Sequence, residues 1–365
     1  MADTTVGTTA ANGQVIRFRR DFFREYVRTD RFNGYTGTGV NNPIVVKQDT
    51  GPTIRHPLIT RLQGSGVSGS DQLRGNGEAI GNYYWDTNPT YYRHAVEFNK
   101  EDKEKTDIDL MRAARPLLME WALSSTRDRK IRALGAVYNG TTYAELDSTG
   151  FTQAIADTWL VNNADRQIFG NNAGSGTDFS ADLGQIDGTS DELEPGRIDD
   201  MRRLAEDADP HIRPIQTDQE SEVYVCFVGS QSFRDLKEGL QTINLNADVR
   251  GMRITRDGNI LARDGDLFYN GVIIRKVPEI TKVFSSTGKY LATAGAAGIA
   301  VEPAFFCGAQ ALVFGMTSAP DIVVDRNWDY NFRPGVAIEL KEDLKKPFFN
   351  DTVQHGVVSG FFAGA

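Results

Sequence analysis

The stretch from Asn42 to Leu134 restricts the possible folds of this chain more than any other. It holds two long extended segments joined by a glycine-rich tip, and one long amphipathic helix follows. The first arm runs from Pro43-Ile44-Val45-Val46 through Ile54 to Leu58-Ile59-Thr60-Arg61-Leu62, rich in β-branched residues and broken at Thr50-Gly51-Pro52. The second runs from Tyr83-Tyr84-Trp85 to Val96-Glu97-Phe98. Between them, Gly64, Gly66, Gly69, Gly75, Gly77 and Gly81 stand among polar residues, too few apolar groups for a core. A hairpin of that length exposes backbone donors and acceptors and buries little, so it is expected to lie on a neighbour.

Residues 101–134 carry a helical period. Ile108, Met111, Ala114, Leu118, Trp121 and Ala122 recur on one face, continued by Ile131 and Leu134. Acids (Glu101, Asp102, Glu104, Asp107, Asp109) open the segment and bases (Arg127, Arg129, Lys130, Arg132) close it, as the helix dipole favours. Gly135 supplies a stop, and Pro116 predicts a bend. At about 1.5 Å per residue the span is roughly 50 Å, the length of a strut.

Charge is segregated along the 365 residues. Residues 140–222 hold eighteen acidic and five basic side chains, a net of −13 against −9 for the whole chain, which leaves the rest slightly positive. Residues 1–13 read as a tail. From Gln14 to Arg28 the sequence predicts a basic amphipathic helix: Val15, Ile16, Phe18, Phe22, Phe23, Tyr26 and Val27 form its apolar face, ringed by Arg17, Arg19, Arg20, Arg24 and Arg28. Such a helix can meet nucleic acid or an anionic surface, or pack on its own or a neighbouring subunit; its aromatic density favours packing. Further helices are predicted at 151–163 and 195–209, with Pro195 in a first turn and Pro210 ending it.

After Glu222 the pattern turns to buried strands: Val223–Gly229, Gly271–Val277 and Phe305–Phe314, with more from Ile322 to Phe362. Ser230 is placed to cap a short helix from Gln231 to Gly239. The class is α+β, with helices early and strands late. Cys226 and Cys307 sit in apolar runs and read as buried thiols. No charged segment followed by an apolar one opens the chain, which reads as cytosolic at synthesis.

Motifs of chemistry fail on inspection. Gly64-x-Gly66-x-x-Gly69 matches a dinucleotide fingerprint as a string, yet Ser70–Gly81 cannot open the helix that would receive a pyrophosphate. Gly288-Lys289 echoes a phosphate loop, with Val283 in place of its first glycine and Tyr290 in place of its hydroxyl ligand. His56, His94, His211 and His355 show no ligand spacing, and no Gly-x-Ser-x-Gly elbow is present. No catalytic residue, cofactor or metal site is therefore assigned.

The order of parts resembles the major capsid proteins of tailed bacteriophages, with the Hong Kong 97-type shell fold. Phrases that carry the resemblance across the chain are Phe22-Phe23-Arg24-Glu25-Tyr26-Val27-Arg28, Pro57-Leu58-Ile59-Thr60-Arg61-Leu62, Asp209-Pro210-His211-Ile212-Arg213-Pro214, Phe233-Arg234-Asp235-Leu236-Lys237, Tyr269-Asn270-Gly271-Val272-Ile273-Ile274-Arg275 and Pro303-Ala304-Phe305-Phe306-Cys307-Gly308-Ala309-Gln310-Ala311. The resemblance implies an N-terminal arm (1–41), an extended loop (42–98), a peripheral domain with spine helix and acidic insertion (99–214), an axial domain (215–320) and return strands (321–365).

It further implies hexamers and pentamers closing an icosahedral shell around non-specifically contacted double-stranded DNA. Decoration, scaffolding and portal proteins would be its other partners, and no membrane is involved. Arg17, Phe22, Phe23, Arg24, Arg28, Arg61, Arg74, Tyr84 and Trp85 are the expected inter-subunit contacts. Some relatives weld the shell through a loop lysine, and between Gly64 and Asn82 this chain has none, so a non-covalent shell is expected. Two rivals stand beside this reading: an encapsulin-like compartment that packages protein cargo, and a metal-dependent enzyme built on Asp187–Asp200.

Overall fold

Near-continuous apolar runs place one sheet at the centre of the larger of two units. The computed structural model describes residues 27–62, 64–70, 72–101, 109–171, 176–218, 221–249, 266–326, 332–349 and 352–364. Of the described residues, one unit comprises those within 30–90, 125–319 and 341–365, and the other those within 27–29, 91–124 and 320–340.

In the larger unit the strands run in the order Asp266–Tyr269, Val272–Lys276, Ser221–Val228, Val301–Cys307, Val357–Ala363 and Gln167–Phe169. Ser221–Val228 is parallel to Val272–Lys276 and antiparallel to Val301–Cys307, which is antiparallel to Val357–Ala363. Successive side chains point to opposite faces, so each central strand feeds two cores. Val225, Phe227, Phe305 and Phe361 join Ile131, Leu134, Trp159 and Leu160 on one side. Tyr224, Cys226, Phe306 and Phe362 meet Ile198, Met201, Phe233 and Leu236 on the other. The continuous apolar runs of the sequence are thus strands covered on both faces.

The chain from Asp30 to Phe32 is fastened to this sheet. Phe32 is fully buried with its ring 4.7 Å from that of Phe227, and Asp30 receives a 2.6 Å ion pair from the buried Lys130 Nζ. Arg31 Nη1 donates to the Lys276 carbonyl at 3.0 Å.

In the smaller unit, Thr90–Glu97 neighbours Gly335–Lys345, which neighbours Leu312–Asp325. Val336, Ile338 and Leu340 alternate with half-buried positions and close a core with Phe98, Ala114, Leu118 and Ala122. The last two strands and the long helix belong to both units by chain continuity.

Four expectations need correction. The single helix expected over 101–134 is interrupted at Asp109: Glu101 is helical, 102–108 lie outside the described residues, and the long helix runs from Leu110 to Leu134, about 37 Å at about 1.5 Å per residue, with Pro116 inside it. The two arms of the predicted hairpin pair only over Ile54–Ile59 and Asn82–Thr87. Ile44–Gln48 instead lies parallel to Leu312–Met316, and Thr90–Glu97 joins Gly335–Lys345. The single strand read at Phe305–Phe314 is two, Val301–Cys307 and Leu312–Asp325, separated by a turn where Gln310 takes φ 59°.

The helix expected to end at Gly239 runs from Ser230 to Val249. Its N-terminus is capped by a distant carboxylate: buried Glu302 accepts from the Ser232 amide at 2.7 Å and also from the Thr281 hydroxyl. Gly239 ends nothing; a Cβ there would sit 2.8 Å from Cδ of Pro195, so the glycine permits two helices to approach.

Candidate subunit-contact surface

Polar residues and glycines at 60–81 leave the loop with no core, and its few apolar side chains point outward. Leu62, Leu73 and Ile80 are 63–69% exposed, joined by Ile59 and Tyr84. The neck closes through the Thr60 amide donating to the Gly81 carbonyl (3.1 Å) and the Gly64 amide donating to Glu78 Oε2 (2.7 Å). Gly66, Gly69 and Gly75 hold left-handed backbone at φ 72°, 69° and 96°, a conformation that side chains disfavour.

The base of the loop is fixed by aromatic packing. Trp85, half-buried, lies 5.3 Å from Tyr138, 5.7 Å from Phe348 and 6.1 Å from Tyr143, ring centre to ring centre. Its Nε1 is buried and has no hydrogen-bond partner among the described residues. Tyr84 points the other way, exposed, with the Arg55 guanidinium 3.9 Å over its ring. Arg55 also forms a two-pronged bond to Asp86 (2.9 and 2.8 Å), which holds the Asp86 carboxyl below its usual range.

Of the expected contact residues, Arg17, Phe22, Phe23 and Arg24 lie outside the described residues. Arg28 and Arg74 are exposed, and Arg61 pairs with Asp209 across 2.9 Å with both side chains in solvent. Arg61, Arg74 and Tyr84 thus face outward on the loop or its base, and Trp85 faces inward.

Sequence reading treats the histidines as scattered, whereas folding brings three of the four together. His56 and His355 line a cavity of about 410 Å³ with Lys47, Gln48, Pro57 and Phe349. His211 and His355 line a second, of about 460 Å³, with Arg61, Asp209 and Arg213. His56 bonds Thr87 Oγ1 at 2.9 Å, and burial pushes its pKa down. Burial, reinforced by the Arg166 charge, pushes His355 down to about 4. Both therefore act as neutral groups at pH 7. The three are 144 to 299 residues apart along the chain, so no local pattern announces the cluster.

The aspartates proposed for a metal are spent on backbone and side-chain bonds. Asp187 Oδ1 accepts from the amides of Thr189 and Ser190, both at 2.9 Å, and Asp191 accepts from the amides of Asn171 and Asp187. Asp200 pairs with Arg197, and Asp199 takes the Tyr269 hydroxyl. No group of three or more potential ligands converges among the described residues.

Comparison with known proteins agrees across the chain. The family model described as phage capsid protein matches residues 6–357. The capsid asymmetric unit of cyanophage Pam1 superposes with a TM-score of 0.87 at 32% identity, covering all of both chains. The capsid of Ralstonia phage GP4 superposes at 0.71 with 19% identity over 100% of this chain and 99% of the other. The head of Helicobacter pylori bacteriophage KHP40 gives 0.64 and 13%, over 100% and 98%, a likeness of fold. No curated protein matches the sequence.

Proposed function

Because this chain belongs to the phage capsid protein family and builds the shell of a phage head in the Hong Kong 97-type fold, we propose how its parts serve the assembly. Hexamers and pentamers form when the loop of one copy crosses its neighbour, setting Leu62, Leu73 and Ile80 on apolar surface that one copy alone leaves in water. The carrying observation is that outward-facing apolar set on a loop with no core. Arg61, Arg74 and Tyr84 add contacts along it. Trp85 serves the loop from behind, holding its base.

The segmentation follows: arm at 1–41, loop at 42–98, peripheral domain at 99–214, axial domain at 215–320, return strands at 321–365. The arm, with Arg17, Phe22, Phe23, Arg24 and Arg28, clasps a neighbour or lines the interior. The shell encloses double-stranded DNA, touched weakly because a chain of net charge −9 has no large basic surface to offer. Decoration, scaffolding and portal proteins complete the head. The chain carries out no chemistry in this reading and needs no cofactor. It is synthesised in the host cytoplasm.

Electron microscopy of the protein expressed alone and with the other head proteins of its phage tests the assembly. Closed shells or rings of five and six are expected; monomers under every condition would overturn it. Particles that hold a protein cargo and no genome would give the chain to a compartment instead.

A further inference from the structure

The Ile54–Ile59 strand has a second edge, and its register defines what that edge offers. The Thr60 amide bonds the Gly81 carbonyl, so Thr60 and Gly81 form a hydrogen-bonded pair. Bonded and non-bonded pairs alternate in an antiparallel ladder. Stepping from there through Ile59↔Asn82 to Ile54↔Thr87, the even-numbered residues turn their backbone groups toward Asn82–Thr87, and Arg55, Pro57 and Ile59 turn theirs away. Pro57 fits, since its missing amide stands where the ladder loses no bond. Among the described residues no strand pairs with this edge. Two amides and three carbonyls are on offer.

The two cavities lined by His355 run along that edge. One touches residues 54–57 and the other 58–61, and no residue of Asn82–Thr87 lines either. They share Phe349 and His355, which makes one trough of them. Its charge is positive: with Arg55 and Arg61 paired to Asp86 and Asp209, Lys47 and Arg213 stand against Asp49. Lys47 and Arg213 are exposed and have no ion-pair partner among the described residues.

We propose that this edge docks an extended acidic segment of a polypeptide other than this chain, added as a third strand beside Ile54–Ile59. Main-chain bonds to residues 55, 57 and 59 would hold it, and carboxylates on alternate residues would reach Lys47 and Arg213. The acids of this chain's own 140–222 zone stand mainly on helices and turns, which do not present that spacing. The edge lies at the base of the loop, apart from the Leu62, Leu73 and Ile80 set on which the shell reading rests.

The test uses assembled shells and fluorescence anisotropy with a labelled eight-residue peptide alternating Glu and Val. Two controls accompany it: the same peptide with Lys for Glu, and the Glu peptide N-methylated at every residue so that neither of its edges can donate to the strand. The Glu peptide is expected to bind at least about tenfold more tightly than either control, and less tightly as salt rises. Lys47→Glu with Arg213→Glu should weaken it by about tenfold or more, and so should Ile59→Pro, which removes an outward amide and no ladder bond. Equal binding of both charges, undiminished binding after N-methylation, or no binding overturns the proposal. Binding to unassembled subunits and not to shells also overturns it and gives the edge to a second copy.

Discussion

At the residue scale, His355 and Trp85 show how burial decides behaviour. The His355 ring lies edge-on to Phe349 at 5.3 Å, near the Arg166 guanidinium, and titrates at about 4 against an ordinary 6.5. Between those values the unfolded chain holds a proton that the folded chain refuses. Stability therefore falls as pH drops from 6.5 toward 4, and is unaffected by this group above 6.5. His355→Leu is expected to remove that slope, a difference of about 2–3 kcal/mol accumulated by pH 4, read from urea unfolding of unassembled subunits across pH. Trp85 makes a different point, because its ring is packed while its buried Nε1 lacks a partner among the described residues. Trp85→Phe keeps the ring contacts and loses only that orphan donor, so it should cost under about 1 kcal/mol, whereas Trp85→Ala should cost about 2–3 kcal/mol in the same assay.

At the scale of elements, the helix Ser230–Val249 depends on a side chain seventy residues away. Glu302 binds its Ser232 amide and the Thr281 hydroxyl from a fully buried position. Glu302→Ala strands both donors away from water, and a loss of about 2–3 kcal/mol is expected by chemical denaturation, with Glu302→Gln retaining part of it. No window of sequence shows that cap, because strand pairing brings it there. The same reason separates what the sequence discloses from what it hides. Periodicity at Met111–Leu134 and the apolar run at Val223–Val228 reveal their elements, since each pattern is local. The partners of Ile44–Gln48 and Thr90–Glu97 are hidden, since both strands look like hairpin arms and pair instead with strands more than two hundred residues on. Gly239 misleads for a third reason: a glycine that admits a neighbouring helix is spelled like one that ends its own. Of the contact surface, the loop is legible from its glycines, and the histidine-lined trough is not.

At the scale of the molecule, the loop is separable from the fold that carries it. Its neck is closed by the Thr60–Gly81 and Gly64–Glu78 hydrogen bonds, and Leu62, Leu73 and Ile80 remain in solvent. Replacing residues 62–80 by a short glycine-serine link should leave the unassembled subunit within about 0.5 kcal/mol of its original stability, because exposed residues contribute little and a shorter loop closes at lower entropy cost. If the loop fastens neighbours, the same change abolishes closed particles, read side by side as unchanged unfolding and lost fast-sedimenting material. Intact shells from the shortened chain would move subunit contact elsewhere. The joint should also be reversible: with no lysine between Gly64 and Asn82 to form an amide with a neighbouring carboxyl, boiled particles should run on a denaturing gel as one band at 40.3 kDa. A ladder of multiples would require a covalent link from another part of the chain. Without such a link each contact contributes only modest energy, and closure of the shell supplies the persistence, since a subunit held on several sides leaves only when all its contacts open together.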